Sequence, residues 1–294
     1  MRDFSGKVAA ITGAGSGLGA AFARHAHALG MRLVLADVKG DALERECVAL
    51  RDAGAEVLGV RCDVSSDADV AQLAQAANER FGAVNLLMNN AGVTGTGGFI
   101  WENSDADWRW TLGVNVIGVA LGIRHFVPRM LAARLDADSG HIVNTASIAG
   151  WLCAPLMGVY SASKAAVVST SETLYHDLRL AGSQIGVSVL CPAFVPTAIA
   201  DAERSRPAAL ANNAPESASQ RLARTSLEKA VAGGRISADQ IAVLTFDAIR
   251  ARRFHVFTHP QILPAVSARL SAVVAGAEPA DPYAARPDAR PKID

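Results

Sequence analysis

The chain has 294 residues, half of them apolar, which is enough to bury one large core or two small ones. Its 28 basic and 28 acidic side chains cancel, and no basic segment indicates a nucleic acid or a membrane as partner. The first residues lack a signal-peptide pattern, no apolar run reaches about 18 residues, and the four cysteines contain no C-x-x-C pair. We therefore expect a cytoplasmic protein with reduced cysteines and no metal site.

The first predicted unit is a strand, a glycine-rich turn and a helix. Residues 7–11 are mostly apolar, residues 12–19 contain four glycines, and apolar residues then recur at helical spacing to Leu29. Glycines at such a turn let the backbone approach a pyrophosphate at a helix N-terminus. A structural turn would explain the glycines about as well, but this position between a strand and a helix is the one that a dinucleotide-binding loop requires.

The second predicted strand, residues 32–36, ends in Asp37. This acidic residue comes 18 residues after Gly19, close to where a carboxylate binds the adenosine ribose hydroxyls in dinucleotide-binding folds. The alternative is a helix N-cap, for which Asp41 is better placed.

The alternation of strands and helices continues to residue 258. Strands are predicted at residues 56–62, 84–88, 141–145, 185–190 and 254–258, and helices at 67–81, 105–135, 160–180 and 239–249. Repeated units of this kind predict the α/β class, with a doubly wound parallel sheet (Rossmann fold) of about seven strands and helices on both faces.

Residues 198–235 interrupt this alternation and are rich in Ala, Ser and Arg. Since they follow the carboxyl end of a strand, we predict a mobile substrate lid, with its clearest helix at 222–231. Residues 262–273 have helical periodicity, and 276–294 contain four prolines. The expected organisation is one domain over residues 1–260, including the lid, followed by a C-terminal helix and a poorly ordered tail over 261–294.

Three polar residues after the fifth predicted strand could together perform acid/base chemistry. If Tyr160 opens a helix, Lys164 lies one turn later on the same face, where its ammonium group favours the phenolate and lowers the tyrosine pKa. The Ser147 hydroxyl, at the end of the preceding strand, could bind a substrate oxygen beside the phenol. A Tyr-x-x-x-Lys spacing arises by chance in roughly one chain in twenty of this composition, so it needs the nucleotide loop as support.

The motifs in their order resemble those of the classical short-chain dehydrogenase/reductase (SDR) family over residues 5–260. They are Thr12-Gly13-x-x-x-Gly17-x-Gly19, Asp63-Val64, Asn89-Asn90-Ala91-Gly92, Asn115, Ser147 and Tyr160-x-x-x-Lys164. The resemblance implies an NAD-dependent oxidoreductase that interconverts a secondary alcohol and its ketone. The implied catalytic residues are Asn115, Ser147, Tyr160 and Lys164. The implied cofactor contacts are Gly13, Ser16, Gly17, Leu18, Gly19, Asp37, Asp63, Val64, Asn90, Ala91, Gly92, Tyr160, Lys164, Pro192, Val195 and Thr197.

The resemblance also implies a role for each catalytic residue. In the oxidative direction Tyr160 takes the hydroxyl proton, Lys164 lowers the Tyr160 pKa and binds the nicotinamide ribose, and Ser147 holds the substrate oxygen. Asn115 would hold a water that links Lys164 to solvent. One departure is Ala193, which stands where the family usually has glycine, so the backbone there should be less free.

Cofactor and substrate preferences follow from neighbouring residues. Asp37 should favour NAD over NADP by repelling a 2′-phosphate, and Ser16 and Val38 stand where NADP-type relatives tend to carry a basic residue. Lys39 could soften this preference. The segments after strands four to six are apolar, which predicts a bulky apolar substrate, unless one of the lid arginines binds an anion. Those arginines are Arg204, Arg206, Arg221 and Arg224.

Two other functions remain open from the sequence. Ser147 could be the nucleophile of a hydrolase with Lys164 as its base, although no Gly-x-Ser-x-Gly motif is present. The chain could also bind a cofactor as a sensor without turnover. As partners we expect only a small-molecule substrate and further copies of the chain, in a homodimer or homotetramer. Small residues of the Tyr160 helix would permit that pairing; they are Ala162, Ala165, Ala166 and Ser169.

Overall fold

The fold was analysed in a computed structural model that describes residues 1–212, 214–284, 287–291 and 293. Seven parallel strands form one sheet in the order β3-β2-β1-β4-β5-β6-β7. Their bounds are β1 Val8–Thr12, β2 Arg32–Asp37, β3 Val57–Arg61, β4 Leu86–Asn89, β5 His141–Thr145, β6 Gly186–Cys191 and β7 His255–Phe257. The strand order reverses between β1 and β4, which opens a crevice at the carboxyl edge of the sheet. The predicted doubly wound sheet is confirmed.

Nine α-helices connect the strands or follow them in the part of the chain that the structure describes. They are α1 Gly17–Ala28, α2 Gly40–Asp52, α3 Asp67–Phe81, α4 Asp105–Leu112, α5 Gly118–Ala132, α6 Gly158–Leu180, α7 Ala218–Ala232, α8 Ala238–Arg250 and α9 Leu263–Val274. The predicted helix over 105–135 is α4 and α5 joined by a π-helical turn, Gly113–Ile117, and it ends three residues early. Serine N-caps start several helices; Ser104, Ser217 and Ser237 form capping boxes.

The strands alternate between two apolar layers because successive side chains point to opposite faces of the sheet. On β1, Ile11 packs in a cluster with Phe22 of α1 and Phe246 of α8. Its neighbour Ala10 packs on the other face with Phe126 of α5. Both faces of the sheet are therefore covered by helices, as continuous apolar strands require.

β4 starts two residues later than predicted, and the side chain of the preceding residue, Asn85, connects two other segments. Its Oδ1 accepts a hydrogen bond from Val8 N at 2.9 Å, and its Nδ2 donates to Ser139 O at 2.9 Å. This side chain therefore joins the amino end of β1 to the turn before β5.

A buried polar chain fixes the centre of the sheet against α6. Asn89 Nδ2 donates to Asn144 Oδ1 at 2.8 Å, and Asn144 Nδ2 donates to Ser171 Oγ at 3.0 Å. All three side chains are almost fully buried. Asn89 ends β4 and Asn144 lies near the end of β5, so this chain of hydrogen bonds holds α6 in register with the carboxyl edge of the sheet.

The lid segment, residues 198–235, contains two 3₁₀ turns and α7. The turns are Ala198–Ser205, which is kinked at Asp201, and Ala208–Leu210. α7 begins four residues before the predicted helix. Residue 213 of the lid segment lies outside the described residues, as do 285, 286, 292 and 294 of the predicted tail. The mobility of the lid, the disorder of the tail and the domain limits stay predictions.

The continuous helical stretch Asp105–Ala132 is long and apolar enough to cross a membrane by length and composition. In the fold it packs against α3, α6 and β4, and 44% of its most apolar window is buried. We interpret it as a core helix of the fold.

Candidate active site

The glycine-rich loop connects β1 to α1 and packs directly on the loop after β4. Gly13 has a φ of +65°, and a Cβ built there would lie 2.8 Å from Ala91 Cα. Thr12 holds the two loops together: its Oγ1 accepts hydrogen bonds from Asn90 N at 2.9 Å and Ala91 N at 3.0 Å. The sequence analysis did not predict Thr12 as a site residue. Only its place at the end of β1 could have suggested this role.

The N-terminus of α1 is open towards the crevice. Ser16 precedes the helix, but its side chain makes no capping hydrogen bond, and the first turn carries no acidic residue. The first N–H groups of the helix therefore remain available to an anion. Asp37 lies beside the loop, where its Oδ2 accepts from Gly15 N and its Oδ1 from Lys39 N, both at 2.9 Å.

Asp63 and Val64 follow β3 and form the end of the crevice that also contains Asp37. The Asp63 carboxylate accepts hydrogen bonds from Ser65 N at 2.9 Å and Ser65 Oγ at 2.7 Å, so it caps its own turn. Val64 is buried, and both residues line the same cavity as Asp37. Cys62 N donates to Asp37 O at 3.0 Å, which joins this turn to the end of β2.

The first turns of α6 bring Tyr160 and Lys164 beside Ser147, as predicted. Lys164 Nζ lies 5.7 Å from the centre of the Tyr160 ring and donates to Thr145 O at 2.9 Å. Ser147 Oγ donates to Pro192 O at 3.3 Å and accepts from Ala149 N at 3.1 Å. Lys164 and Ser147 are both buried, so their charges and dipoles act in a site with little water.

Burial shifts the pKa values of Tyr160 and Lys164 in opposite directions. It raises the pKa of the Tyr160 phenol, and a hydrogen bond with Ser147 acts against this rise. It lowers the pKa of Lys164 to about 8. The direction for Tyr160 is opposite to that expected from the Tyr-x-x-x-Lys spacing. The reason is that burial penalises the charged phenolate, and this cost exceeds the stabilisation of the phenolate that the spacing predicts.

Asn115 lies fully buried in the π-helical turn, with its side chain committed to protein partners. Its Nδ2 donates to Val93 O at 2.8 Å and Ser163 Oγ at 2.9 Å, and its Oδ1 accepts from Val93 N at 2.8 Å. Ser163 Oγ in turn donates to Tyr160 O at 2.7 Å. Both amide hydrogens are used, so a water held by Asn115, as the sequence analysis expects, would have to donate to one of its oxygen atoms. Ser163 was missed, although its position three residues after Tyr160 places it in the same turn.

The loop after β6 contributes Pro192, Val195 and Thr197. Pro192 O accepts from Ile148 N at 2.9 Å, which joins this loop to the one after β5. Ala193 does not have a positive φ, so alanine in place of glycine strains no backbone there. A Cβ on Gly17 would lie 3.4 Å from Thr197 Cβ, so the threonine closes over the start of α1.

These elements surround one cavity of about 1880 Å³. Every predicted catalytic and cofactor-binding residue lines it except Gly19 and Asn115. Gly19 packs against Gly13 O, where a Cβ would overlap the carbonyl, and Asn115 lies behind Val93. These two residues therefore act through the shape of the site.

The far half of the cavity is lined by apolar side chains from four segments. They are Val93, Ile148, Leu152, Leu156, Met157, Phe194, Ile199, Leu222, Leu227 and Val231. Trp151 and Cys153 belong to the apolar segment after the fifth strand that the sequence analysis assigned to the substrate pocket, but they do not line the cavity. Trp151 Nε1 donates to Cys191 Sγ at 3.3 Å and its ring packs on Phe257, away from the cavity.

Comparison with known proteins decides the family. The short chain dehydrogenase family profile matches residues 7–208. The chain is a short-chain dehydrogenase. This dehydrogenase is 57% identical to an SDR from Burkholderia phymatum solved in complex with NAD, over 96% of this chain and 99% of that one, with a TM-score of 0.93.

Two curated relatives cover most of the dehydrogenase. One is a CLA biosynthesis dehydrogenase/reductase of Lactiplantibacillus plantarum, 35% identical over 95% of this chain and 97% of the relative. The other is a 1-deoxy-11-beta-hydroxypentalenate dehydrogenase of Streptomyces exfoliatus, 34% identical over 86% of this chain and 83% of the relative. The dehydrogenase thus belongs to a family of oxidoreductases that act on CH–OH groups with a nicotinamide dinucleotide.

Proposed function

We propose that the chain is an NAD-dependent oxidoreductase that interconverts a bulky, mainly apolar secondary alcohol and its ketone. The observation that carries this proposal is that Ser147, Tyr160 and Lys164 line the same cavity as the glycine-rich loop and Asp37. An acid/base group moves protons and a dinucleotide site holds a redox cofactor, and alcohol oxidation requires both in one place.

The residues of the crevice fit a dinucleotide. The close approach of Gly13 to Ala91 leaves no room for a side chain at that position, and the uncapped N-terminus of α1 suits a pyrophosphate. Asp37 presents a carboxylate where ribose hydroxyls would donate. When bound, the nicotinamide cofactor supplies the hydride acceptor for alcohol oxidation.

The chain's own residues would then bind the substrate oxygen and accept the hydroxyl proton. Ser147 donates a hydrogen bond to the substrate oxygen in place of Pro192 O, and the Tyr160 phenolate accepts the hydroxyl proton. Lys164 stabilises that phenolate by its charge. Asn115 holds the Tyr160 turn through Ser163, which keeps the phenol directed into the cavity.

The hydrolase alternative is disfavoured by the contacts of its two residues. A serine nucleophile must donate its proton to the base, yet Ser147 Oγ donates to Pro192 O, and Lys164 Nζ donates to Thr145 O. A hydrolase would also leave the glycine-rich loop and Asp37 without a purpose.

A preference for NAD over NADP is supported by the surroundings of Asp37. Its carboxylate would repel a 2′-phosphate, and Ser16 and Val38 beside it carry no charge. Lys39, the cation expected to weaken the preference, donates its Nζ to Arg204 O at 2.5 Å and is thereby directed to the lid segment. The NAD complex of the relative from Burkholderia phymatum agrees with this choice.

An apolar substrate is supported by the composition of the far half of the cavity. Two arginines line the cavity near this apolar half, and both already have carboxylate partners. Arg109 Nε lies 2.5 Å from Asp105 Oδ2, and Arg204 Nη1 lies 3.7 Å from Asp201 Oδ2. A substrate carboxylate would compete with these pairs, whereas an apolar group gains by leaving water.

The decisive experiment is an oxidation assay that follows nicotinamide absorbance, with NAD or NADP and a panel of secondary alcohols. We expect the highest kcat/KM with NAD and a cyclic or aryl secondary alcohol. A hydroxy acid of similar size serves as the comparison. Equal kcat/KM with both cofactors would refute the NAD preference, and a higher kcat/KM for the hydroxy acid would refute the apolar substrate.

A further inference from the structure

Arg206 differs from the other arginines of the lid segment because its side chain is only 5% exposed. Its Nη2 lies 2.7 Å from Asp107 Oδ1, and its Nε lies 2.6 Å from Glu203 Oε2. Its Nη1 donates to Leu210 O at 3.1 Å. Arg206 therefore neither faces solvent nor reaches the cavity, the two outcomes that the sequence left open for the lid arginines.

Asp107, the partner of Arg206 at the start of α4, is 1% exposed and collects donors from three parts of the chain. Its Oδ2 accepts from Ser104 N at 2.8 Å, and its Oδ1 accepts from Thr96 Oγ1 at 2.6 Å and Asn212 Nδ2 at 2.7 Å. Burial raises the pKa of this carboxyl, but these hydrogen bonds outweigh it and hold the pKa below its ordinary value. Residues 206 and 212 of the lid segment are thus joined to one buried carboxylate.

The same guanidinium stacks on the wall of the cavity. Its centre lies 4.3 Å from the ring centre of Trp110, which lines the cavity and is 2% exposed. Trp110 packs with Val93, Ala202 and Leu210, so one apolar cluster joins α4 to both 3₁₀ turns of the lid segment. The ion pair therefore lies directly behind the side chains that bound the substrate space.

We infer that Arg206 is a positioning residue which, through Asp107 and Trp110, holds residues 198–212 against α4 and so sets the size of alcohol that the dehydrogenase binds. Loss of the pair leaves a buried carboxylate without its counter-ion, and the segment moves outward to hydrate it. Substrate affinity then falls in proportion to the remaining fraction of the closed form. The substrate part of this inference rests on the proposed function, but the position of the segment does not.

The test compares Arg206→Met and Asp107→Asn with wild type, using NAD with cyclooctanol as the bulky alcohol and isopropanol as the small one. We expect the KM for cyclooctanol to rise about tenfold or more with kcat nearly unchanged, because uniform binding is lost. The KM for isopropanol, which needs few contacts from the segment, should change by less than about twofold. The Kd for NAD should stay at the wild-type value.

A second readout needs no turnover. Tryptic cleavage after Arg204 should accelerate about tenfold in both variants, since cleavage follows the population of the open segment. Arg224→Met is the matched control: this lid arginine is exposed and pairs with the partly exposed Glu216, so its removal should leave KM and cleavage unchanged. If Arg206→Met fails to fold, the same measurements are made on Arg206→Lys. This variant keeps the positive charge but loses the planar guanidinium group.

Two results would overturn the inference. One is a wild-type cleavage rate after Arg204 together with a wild-type KM for cyclooctanol. The other is an equal rise in the KM of both alcohols and in the Kd for NAD, which would mean that Arg206 supports the whole fold and not this segment. If no alcohol is oxidised, the proposed function fails, and the cleavage rate still decides whether Arg206 holds residues 198–212.

Discussion

Tyr160 and Lys164 share a turn of α6, and burial disfavours the charged form of each side chain. The ordinary tyrosine pKa is about 10 and is raised here, so the free phenol is a weak base at neutral pH. Lys164, with a pKa lowered to about 8, is partly neutral at the upper end of the physiological range. In the proposed mechanism, proton transfer therefore depends on how the two groups titrate together.

Replacing the phenol tests its role directly. Tyr160→Phe should fold normally and bind NAD with the wild-type Kd, because the ring still fills its place. Its kcat should fall by about 10²–10⁴-fold, the usual contribution of general acid/base catalysis. Steady-state oxidation of cyclooctanol and fluorescence titration with NAD measure the two quantities. A kcat above about a tenth of wild type would remove Tyr160 from the proposed mechanism.

The buried Lys164 makes stability depend on pH in a specific window. Its folded pKa of about 8 is below the unfolded value of about 10.4, so between these values the unfolded state binds more protons. The free energy of unfolding that Lys164 contributes therefore rises as pH increases through this window.

We expect the free energy of unfolding of wild type to rise by about 2 kcal/mol relative to that of Lys164→Met between pH 7.5 and 9.5, when no cofactor is present. Urea unfolding of both proteins at a series of pH values measures the difference. Titrating groups that do not interact with Lys164 cancel in this comparison. A difference that is flat or falls with pH would contradict the buried, low-pKa lysine.

Much of the site could be predicted at this scale because Tyr160, Lys164 and Asn115 are close to recognisable motifs. Thr12 and Ser163 were missed for a physical reason. Their partners, Asn90 and Asn115, lie 78 and 48 positions away, and such hydrogen bonds leave no periodic pattern in the sequence. The raised pKa of Tyr160 was missed because spacing predicts a neighbouring charge but not the depth of burial.

At the scale of elements, the glycine-rich loop and α1 form one unit whose geometry depends on close contact. The first turn of α1 lies on the loop so tightly that a Cβ on Gly19 would overlap Gly13 O. Gly40, which begins α2, has only the Arg61 side chain nearby, at 3.7 Å from its Cβ position. Two glycines at helix starts therefore have opposite tolerance for a methyl group.

Gly19→Ala should lower the free energy of unfolding by about 1–3 kcal/mol, because the added methyl overpacks the turn. It should also raise the Kd for NAD about tenfold, since the helix N-terminus is displaced from the cavity. Gly40→Ala is the control and should be neutral or stabilising by up to about 1 kcal/mol. Urea unfolding and NAD titration separate the two variants; similar losses in both would contradict the contact argument.

The elements were the easiest part to predict, yet two features were not accessible. Strand and helix positions follow from apolar periodicity, and β5 has the predicted bounds. The π-helical turn is invisible because one extra residue per turn barely changes that periodicity. The buried place of Arg206 was also missed, since its partner Asp107 is 99 positions away and lid arginines are usually solvated.

At the scale of the molecule, the short-chain dehydrogenase family is typically oligomeric, and α6 offers a face for pairing. Ala162, Ala165 and Ser169 are exposed on one side of this helix, while Lys164 and Val167 are buried on the other. Small side chains let two helices approach closely across a twofold axis. A homodimer or homotetramer through this face remains our prediction.

Ser169→Arg should shift the protein to smaller species, because an arginine on each copy separates the facing helices and places like charges together. Sedimentation velocity at micromolar concentration measures the change. Ala49→Arg, on the exposed face of α2, is the control and should sediment as wild type. An unchanged sedimentation coefficient for Ser169→Arg would exclude this face as the interface.

The π-helical turn Gly113–Ile117 has a consequence for how the gene can change. A π turn holds one residue more than an α turn, so it corresponds to a single-residue insertion that an otherwise regular helix retains. Because the wide turn absorbs this extra residue, loss of one codon between α4 and α5 would restore an ordinary helical turn and leave α4 and α5 in their present orientation. Asn115 would then turn away from Val93 and Ser163, while most apolar positions could still find the core. We expect such deletions to yield a folded but inactive protein, and a deletion library over residues 113–117 would show it.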